Sequence, residues 1–212
     1  MTRRQSAFTL IELLVVVAIV TLLISMLVPS LTKARELART TICKTQMHNI
    51  GLAVLNYGQD FNGSIPPRAE KASGEKWGME KSKVPGSWIH MGLLYSEGYA
   101  ENTGIFICPN QAETALVTKY GFGENSINWG NAGYWYFPGG PQYYQRDNID
   151  KFPHQSVIVT DFDPFYTENP VYYPDNHHPN GNNVLTLGGE VRFVPREITE
   201  GLAWQWTELD QY

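Results

Sequence analysis

The most prominent feature of the hydrophobic pattern is a long apolar run close to the start of the chain. From Phe8 to Leu31 the only formally charged residue is Glu12, and the run from Leu13 to Val28 is almost unbroken. An α-helix needs about 20 mostly apolar residues to span the hydrocarbon layer of a membrane. The pattern therefore predicts a transmembrane helix over residues 8–28, with one carboxylate near its beginning.

The helical pattern continues beyond the apolar run, but on one face only. Hydrophobic positions now recur every three or four residues with charged residues largely between them, which is typical of an amphipathic helix. The positions on this face are Leu31, Ala34, Ala38, Ile42, Asn49 or Ile50, Ala53 and Tyr57. Pro29 removes one backbone hydrogen bond and predicts a kink. Turn-forming residues cluster between Gly58 and Gly63, so we expect one helix over residues 8–60.

Residues 61–212 have the pattern of a head built from short strands and long loops. The strand candidates are Ile105–Pro109, Tyr134–Phe137 and Ser156–Thr160, followed by a hairpin of Asn183–Leu187 and Glu190–Val194. Gly188 and Gly189 lie between the hairpin strands and are expected to form a two-residue turn, because glycine readily adopts positive φ values. A short helix is expected within Ile89–Glu97. The chain thus predicts an α+β fold, in which a small, mostly antiparallel β-sheet packs on the second half of the long helix.

The charged residues predict the orientation of the chain in the membrane and exclude one class of partner. Arg3 and Arg4 precede the apolar run, and positive charge tends to remain on the cytoplasmic side of a membrane. The head is therefore expected on the opposite side, in the periplasm. The net charge is −5 and no other basic cluster is present, so nucleic acid is not an expected partner.

The two cysteines, Cys43 and Cys108, have two interpretations. They can form a disulfide in an oxidising compartment, or they can be two small buried apolar residues. Each is alone in its stretch of sequence, so neither matches the spacing of a zinc motif.

Acidic residues near two histidines suggest a metal site. Asp161, Asp163, Asp175 and His178 are candidate ligands, and oxygen-rich loops of this kind bind Ca²⁺. The alternative is that the aspartates make turn hydrogen bonds. His177 and His178 are weaker candidates for zinc. Ca²⁺ is therefore the cofactor that the sequence favours, and no nucleophile motif indicates an enzyme.

The residues Ala7-Phe8-Thr9-Leu10-Ile11-Glu12-Leu13, after a short basic leader, resemble the prepilin signal of type IV pilins and type II secretion pseudopilins. This resemblance implies a pilin-like fold and a leader of residues 1–7. It also implies that a prepilin peptidase cuts before Phe8 and methylates the new amine. Ala7 stands where the family usually has glycine, and Pro29 stands where the family commonly interrupts its helix.

The resemblance also implies a role for Glu12. Cleavage leaves an α-amino cation on Phe8, and in a filament the amine of one subunit can meet Glu12 of its neighbour. A carboxylate in hydrocarbon costs several kcal/mol, so such a pairing would fix the register of assembly. The partners implied are the peptidase, other pilin or pseudopilin subunits and an inner-membrane assembly platform.

A second resemblance, to a processing-associated C-terminal region of pilin-like proteins, lies in the head. That region has a histidine, nine residues and then Asp-Gly, and here His178 is followed by Pro179–Leu187 and then Gly188-Gly189. The residues around Cys43 and the step Cys108-Pro109 also resemble this group. The aspartate of the pattern is Gly188 in this chain.

Two functions remain open. The first is a structural subunit of a pilus, a secretion pseudopilus or a DNA-uptake fibre, and the loop-rich head and Ala7 favour a minor one. The second is a membrane-tethered or filament-tip module whose aromatic residues bind an extracellular glycan or protein. The residues that carry this alternative are Trp77, Trp88, Trp129, Trp135, Trp204 and Trp206. Aromatic core packing is the plainer account of these tryptophans.

Overall fold

The computed structural model describes residues 9–67, 81–84, 87–109, 130–131, 134–136, 148–161, 178, 181–199 and 210. The chain divides into two compact units, Met1–Arg39 and Thr40–Tyr212. In the described residues the first unit is the beginning of a long helix. The second unit contains the last part of that helix together with the strands of the head.

Helix α1 runs from Leu10 to Asp60 and includes Pro29. It ends where two residues adopt left-handed backbone conformations, Asn62 at φ 54° and Gly63 at φ 81°. The Gly63 amide turns back to donate to the carbonyl of Gly58 at 2.7 Å. The long helix expected from the sequence is confirmed, and the cluster of turn-forming residues ends it as expected.

The buried face of α1 is only partly the one expected from the sequence. In the head unit, the residues of this helix that are buried are Cys43, Met47, Ile50, Gly51, Ala53, Val54, Tyr57 and Gly58. Ile50, which was expected as an alternative to Asn49, and Ala53 and Tyr57 are buried as expected, whereas Leu31, Ala34, Ala38 and Ile42 are exposed. Spacings of three and four residues fit more than one stripe on a helix, and Cys43 rather than Ile42 begins the stripe that is buried.

The described strands form two antiparallel sheets. The first has the order β2-β1-β3, with β1 at Lys81–Val84, β2 at Ser87–Trp88 and β3 at Gly130–Asn131. The second has the order β4-β5-β6-β7, with β4 at Trp135–Tyr136, β5 at Val157–Thr160, β6 at Gly181–Thr186 and β7 at Val191–Pro195. The other described elements are α2 at Gly92–Ser96, a 3₁₀ helix at Thr103–Phe106 and α3 at Arg196–Thr199. The α+β, pilin-like architecture is therefore confirmed.

The strand expected at Ile105–Pro109 is wrong. Thr103–Phe106 forms a 3₁₀ helix, and the Asn102 side chain accepts a hydrogen bond from the Gly104 amide at 3.0 Å to cap it. Ile107 is extended, but it lies in no described strand. A short apolar run does not by itself distinguish a strand from another buried segment, and here the local cap at Asn102 favours the helical turn.

The β6–β7 hairpin is confirmed, but its turn differs from the expected one. The amide of Gly189 donates to the Thr186 carbonyl, and the amide of Thr186 donates to the Glu190 carbonyl, both at 2.9 Å. Three residues therefore connect the strands, and Gly189 at φ 83° supplies the left-handed position. This is the usual three-residue hairpin, which needs one glycine rather than two.

The core of the head lies between α1 and the second sheet. Strands β5 and β6 are buried along their full length, and the Cys43–Tyr57 stripe packs in the same cluster as Ile158, Val159 and Leu185. A Cβ atom added at Gly51 would lie 2.9 Å from Leu185 Cδ1 and 3.3 Å from Gly189 Cα. The helix backbone thus approaches the hairpin closely at a position that has no side chain.

Candidate functional site

Glu12 is part of a capping box at the beginning of α1. The backbone amide and hydroxyl of Thr9 donate to Glu12 Oε2 at 2.9 and 2.8 Å, and the amide of Glu12 donates to Thr9 Oγ1 at 3.3 Å. A capping box satisfies backbone amides that have no carbonyl partner in the first turn of a helix. The carboxylate is therefore held at the N-terminal end of the helix, close in sequence to the predicted cleavage point.

The apolar half of α1 is exposed. The large hydrophobic side chains from Leu10 to Leu31 have exposed fractions between 46% and 80%. By length and composition, α1 is long and apolar enough to cross a membrane. Its hydroxyl groups need no external partner, because the side chains of Thr21, Ser25 and Ser30 donate to carbonyls of the preceding turn. This surface is typical of a pilin membrane anchor.

Several predicted residues fall outside the described residues. Ala7 and Phe8, the predicted processing site, are among them, and so are Asp163 and Asp175 of the predicted calcium site. Their roles remain predictions. Of the tryptophans, Trp77, Trp129, Trp204 and Trp206 also lie outside the described residues. Trp88 is half-buried and makes an edge-on contact with Tyr95, with ring centroids 5.1 Å apart.

Cys43, Cys108 and His178 come together inside the head. The two sulfur atoms and an imidazole nitrogen lie within 4.8 Å of one another, and all three side chains are buried. The Cys108 sulfur is 3.9 Å from His178 Nε2. Both cysteines are free thiols in the structure, so the predicted disulfide stays a prediction. The burial of both cysteines, which was the alternative interpretation, is confirmed.

Asp161 lies beside this cluster and is fully buried. Its Oδ2 atom is 3.4 Å from His178 Nε2 and accepts a hydrogen bond from the Cys43 thiol at 3.4 Å. Asn183 orients the carboxylate, since its backbone amide donates to Oδ1 at 2.8 Å and its side-chain amide donates to Oδ2 at 2.7 Å. The structure therefore brings together two of the four residues of the predicted calcium site, but with two sulfur atoms around them.

Two further described side chains lie beside the cluster. Thr40 Oγ1 lies 3.0 Å from His178 Nδ1, and the Tyr134 hydroxyl donates to Gln46 Oε1 at 2.8 Å while lying 3.4 Å from the Cys43 sulfur. Burial raises the pKa of the Cys43 thiol, and the neighbouring Cys108 and Asp161 raise that pKa further. Burial also raises the pKa of Tyr134. The buried surroundings therefore favour the neutral form of both groups.

Sequence reasoning missed two of these arrangements for different reasons. The Thr9-x-x-Glu12 spacing is the sequence signal of a capping box, and it lies within the apolar run that predicts the transmembrane helix. The cysteine–histidine cluster has no local spacing signal, because 70 residues separate Cys108 from His178. One signal was available in the sequence. Cys43, Cys108 and His178 each lie in a stretch that resembles the processing-associated region of pilin-like proteins.

Comparison with known proteins gives matches to two families and to one relative. Residues 2–28 match the family described as the prokaryotic N-terminal methylation motif, and residues 32–95 match a family described as a protein of unknown function (DUF1559). The ComG operon protein 3 homolog of Bacillus licheniformis is 30% identical over 69 residues, which cover 32% of this chain and 71% of that protein. No solved structure matches the chain.

Proposed function

The chain belongs to the type IV pilin-like family as a pilin-like filament subunit, and from this premise we propose its processing, its place in the membrane and its mode of assembly. Prepilin peptidase cuts before Phe8 and methylates the new amine. The subunit is then stored in the inner membrane and built into a filament by an assembly platform. Within that filament it is a minor subunit, which the loop-rich head and Ala7 favour.

The observation that carries this proposal is the exposed apolar half of α1 with one carboxylate at its beginning. In a soluble protein this apolar surface would be exposed to water, which is unfavourable. A membrane or a bundle of like helices covers it. Arg3 and Arg4 keep the N-terminus in the cytoplasm, and the head is exported to the periplasm, or to the cell exterior once the filament extends.

Within the filament, Glu12 pairs with the methylated amine of a neighbouring subunit. The Thr9 capping box supports this role, because it directs the carboxylate toward the end of the helix where that amine is created. Two groups that are each costly in an apolar medium then neutralise one another. Removing one partner of a buried ion pair costs about 3–5 kcal/mol, so subunits packed in a wrong register are strongly disfavoured.

Mass spectrometry of the native N-terminus tests the processing step. We expect the mature chain to begin with N-methylated Phe8, and the same result from an Ala7→Gly variant, which has the residue that is usual in the family. In cells that lack the peptidase, the chain should retain residues 1–7. An intact leader in normal cells, or a cut after Pro29, would contradict the proposal.

A further inference from the structure

Three metal-binding side chains from distant parts of the chain converge in the interior of the head. Cys43 lies on α1, Cys108 follows the 3₁₀ helix, and His178 precedes β6. Their ligand atoms lie within 4.8 Å of one another and all three are buried. Thiolate sulfur and imidazole nitrogen are the donors of structural zinc sites. We propose that Cys43, Cys108 and His178 bind one Zn²⁺ ion, with Asp161 as the fourth donor.

Asp161 is the adjacent oxygen donor that completes four-coordination. Its Oδ2 atom lies 3.4 Å from the Cys43 sulfur and 3.4 Å from His178 Nε2. The carboxylate carries charge that helps to balance the metal, and its two hydrogen bonds from Asn183 hold it in place. Ligating carboxylates are commonly hydrogen-bonded in this way by an outer shell.

The spacing of the donors suits the size of a zinc ion. With Zn–S of about 2.3 Å and Zn–N or Zn–O of about 2.0–2.2 Å, the edges of a tetrahedral site are about 3.3–3.8 Å. Three of the six donor separations are 3.4 Å for Cys43 Sγ to Asp161 Oδ2, 3.4 Å for His178 Nε2 to Asp161 Oδ2 and 3.9 Å for Cys108 Sγ to His178 Nε2, and the ligand atoms of Cys43, Cys108 and His178 all lie within 4.8 Å of one another. Small side-chain shifts therefore bring these donors to bonding distance of a common ion.

The hydrogen bond at the other ring nitrogen of His178 supports the same assignment. Nδ1 lies 3.0 Å from Thr40 Oγ1, and when Nδ1–H donates to this hydroxyl, Nε2 presents its lone pair to the sulfur atoms and Asp161. Histidines that ligate metals generally donate through their second nitrogen in this manner, which fixes both the tautomer and the orientation of the ring.

The chemistry of the donors selects zinc over calcium and a structural role over a catalytic one. Calcium takes six to eight oxygen ligands, whereas two thiolates favour a softer metal such as zinc. All four side chains are buried, so the coordination shell is closed to substrate. The ion would connect α1 through Cys43 with the end of β5 through Asp161, and so join the helical and sheet parts of the head.

Metal binding by the untagged full-length protein, purified in detergent under reducing conditions, tests this proposal. After dialysis against dilute Zn²⁺, we expect one zinc per chain by elemental analysis. Co²⁺ in place of Zn²⁺ should give a thiolate-to-metal charge-transfer band in the near ultraviolet. Zinc should also raise the midpoint of thermal unfolding and protect both cysteines from alkylation.

Substitutions of the proposed donors test where the zinc ion binds. Cys43→Ser, Cys108→Ser and His178→Gln each remove one donor and should reduce zinc far below one per chain. Thr40→Ala leaves every donor in place and should weaken zinc binding by about 10- to 100-fold, as loss of an outer-shell partner does. The Thr40→Ala variant keeps the test informative if a donor variant fails to fold, because it removes no donor. His154→Gln is the matched control, because this histidine is exposed and outside the cluster, and it should retain one zinc.

Two results would overturn the proposal. One is a wild-type protein that retains neither zinc nor cobalt and whose Cys43 and Cys108 form a disulfide when it is isolated without reductant. The other is zinc binding that persists unchanged in all three donor variants, which would place the metal elsewhere. Neither result bears on processing at Phe8 or on filament assembly, since those are read from the N-terminus and from isolated filaments.

Discussion

At the scale of single residues, Glu12 has two separable properties, an oxygen that caps α1 and a charge. The oxygen accepts both hydrogen bonds from Thr9 within the subunit. Among the described residues these bonds do not require the charge, since a neutral amide oxygen would accept them as well. A carboxylate rather than an amide at this membrane position is what the proposed pairing with the amine of a neighbouring subunit requires.

Substitutions that separate the two properties of Glu12 test this interpretation. Glu12→Gln keeps an acceptor for Thr9 but loses the charge, and we expect insertion and cleavage with at least a ~100-fold loss of assembled filament, as for Glu12→Ala. Thr9→Ala is the control that keeps the charge, and it should assemble while losing about 1 kcal/mol of helix stability. The measurement is the amount of subunit in sheared filaments relative to the membrane fraction. Normal assembly of Glu12→Gln would leave the cap as the only role of this residue.

At the scale of elements, the contact between α1 and the β6–β7 hairpin depends on the absence of a side chain at Gly51. A Cβ atom there would meet the Leu185 side chain, which can shift, and the backbone of Gly189, which cannot easily shift. Glycine is unfavourable within a helix by about 1 kcal/mol relative to alanine. Its presence at this position therefore reflects close packing of the helix on the turn rather than helix formation.

Gly51→Val should destabilise the head. The gain in helix propensity is small, whereas overpacking against the hairpin costs about 1–3 kcal/mol. Leu52→Val is the matched control, because Leu52 is adjacent on the helix and 47% exposed, and surface changes are usually within about 0.5 kcal/mol. Urea unfolding, monitored by tryptophan fluorescence, measures the free energy of unfolding of the two variants. Equal stability of the two variants would mean that the helix and hairpin are less closely packed than the structure indicates.

The elements that sequence predicts well are those specified by long local patterns. Helix α1 and the β6–β7 hairpin have such patterns, and both are found close to their expected positions. The pattern after Asn102 does not distinguish the expected strand from the observed 3₁₀ helix, because a few apolar residues fit both equally well. The convergence of Cys43, Cys108 and His178 depends on tertiary packing across 70 residues and more, which no local spacing encodes.

At the scale of the whole molecule, the end of α1 is part of the head's core rather than a connection to it. The unit Thr40–Tyr212 includes the helical stripe from Cys43 to Tyr57. Strands β5 and β6 are buried on both faces, and strands buried on both faces need cover on each side. The helix therefore completes the hydrophobic core on which the sheet depends.

Two truncations test whether the head needs this part of the helix. A chain that begins at Thr40 retains the buried stripe and should be soluble and unfold cooperatively. A chain that begins at Phe61 lacks six buried side chains, those of Cys43, Met47, Ile50, Ala53, Val54 and Tyr57. Their burial contributes on the order of 10 kcal/mol, which is as large as the whole stability of a typical domain. The shorter chain should therefore be unfolded by circular dichroism and urea titration. Cooperative unfolding of the chain from Phe61 would show that the sheet has a sufficient core of its own, and aggregation of the chain from Thr40 would show that the head depends on residues before it.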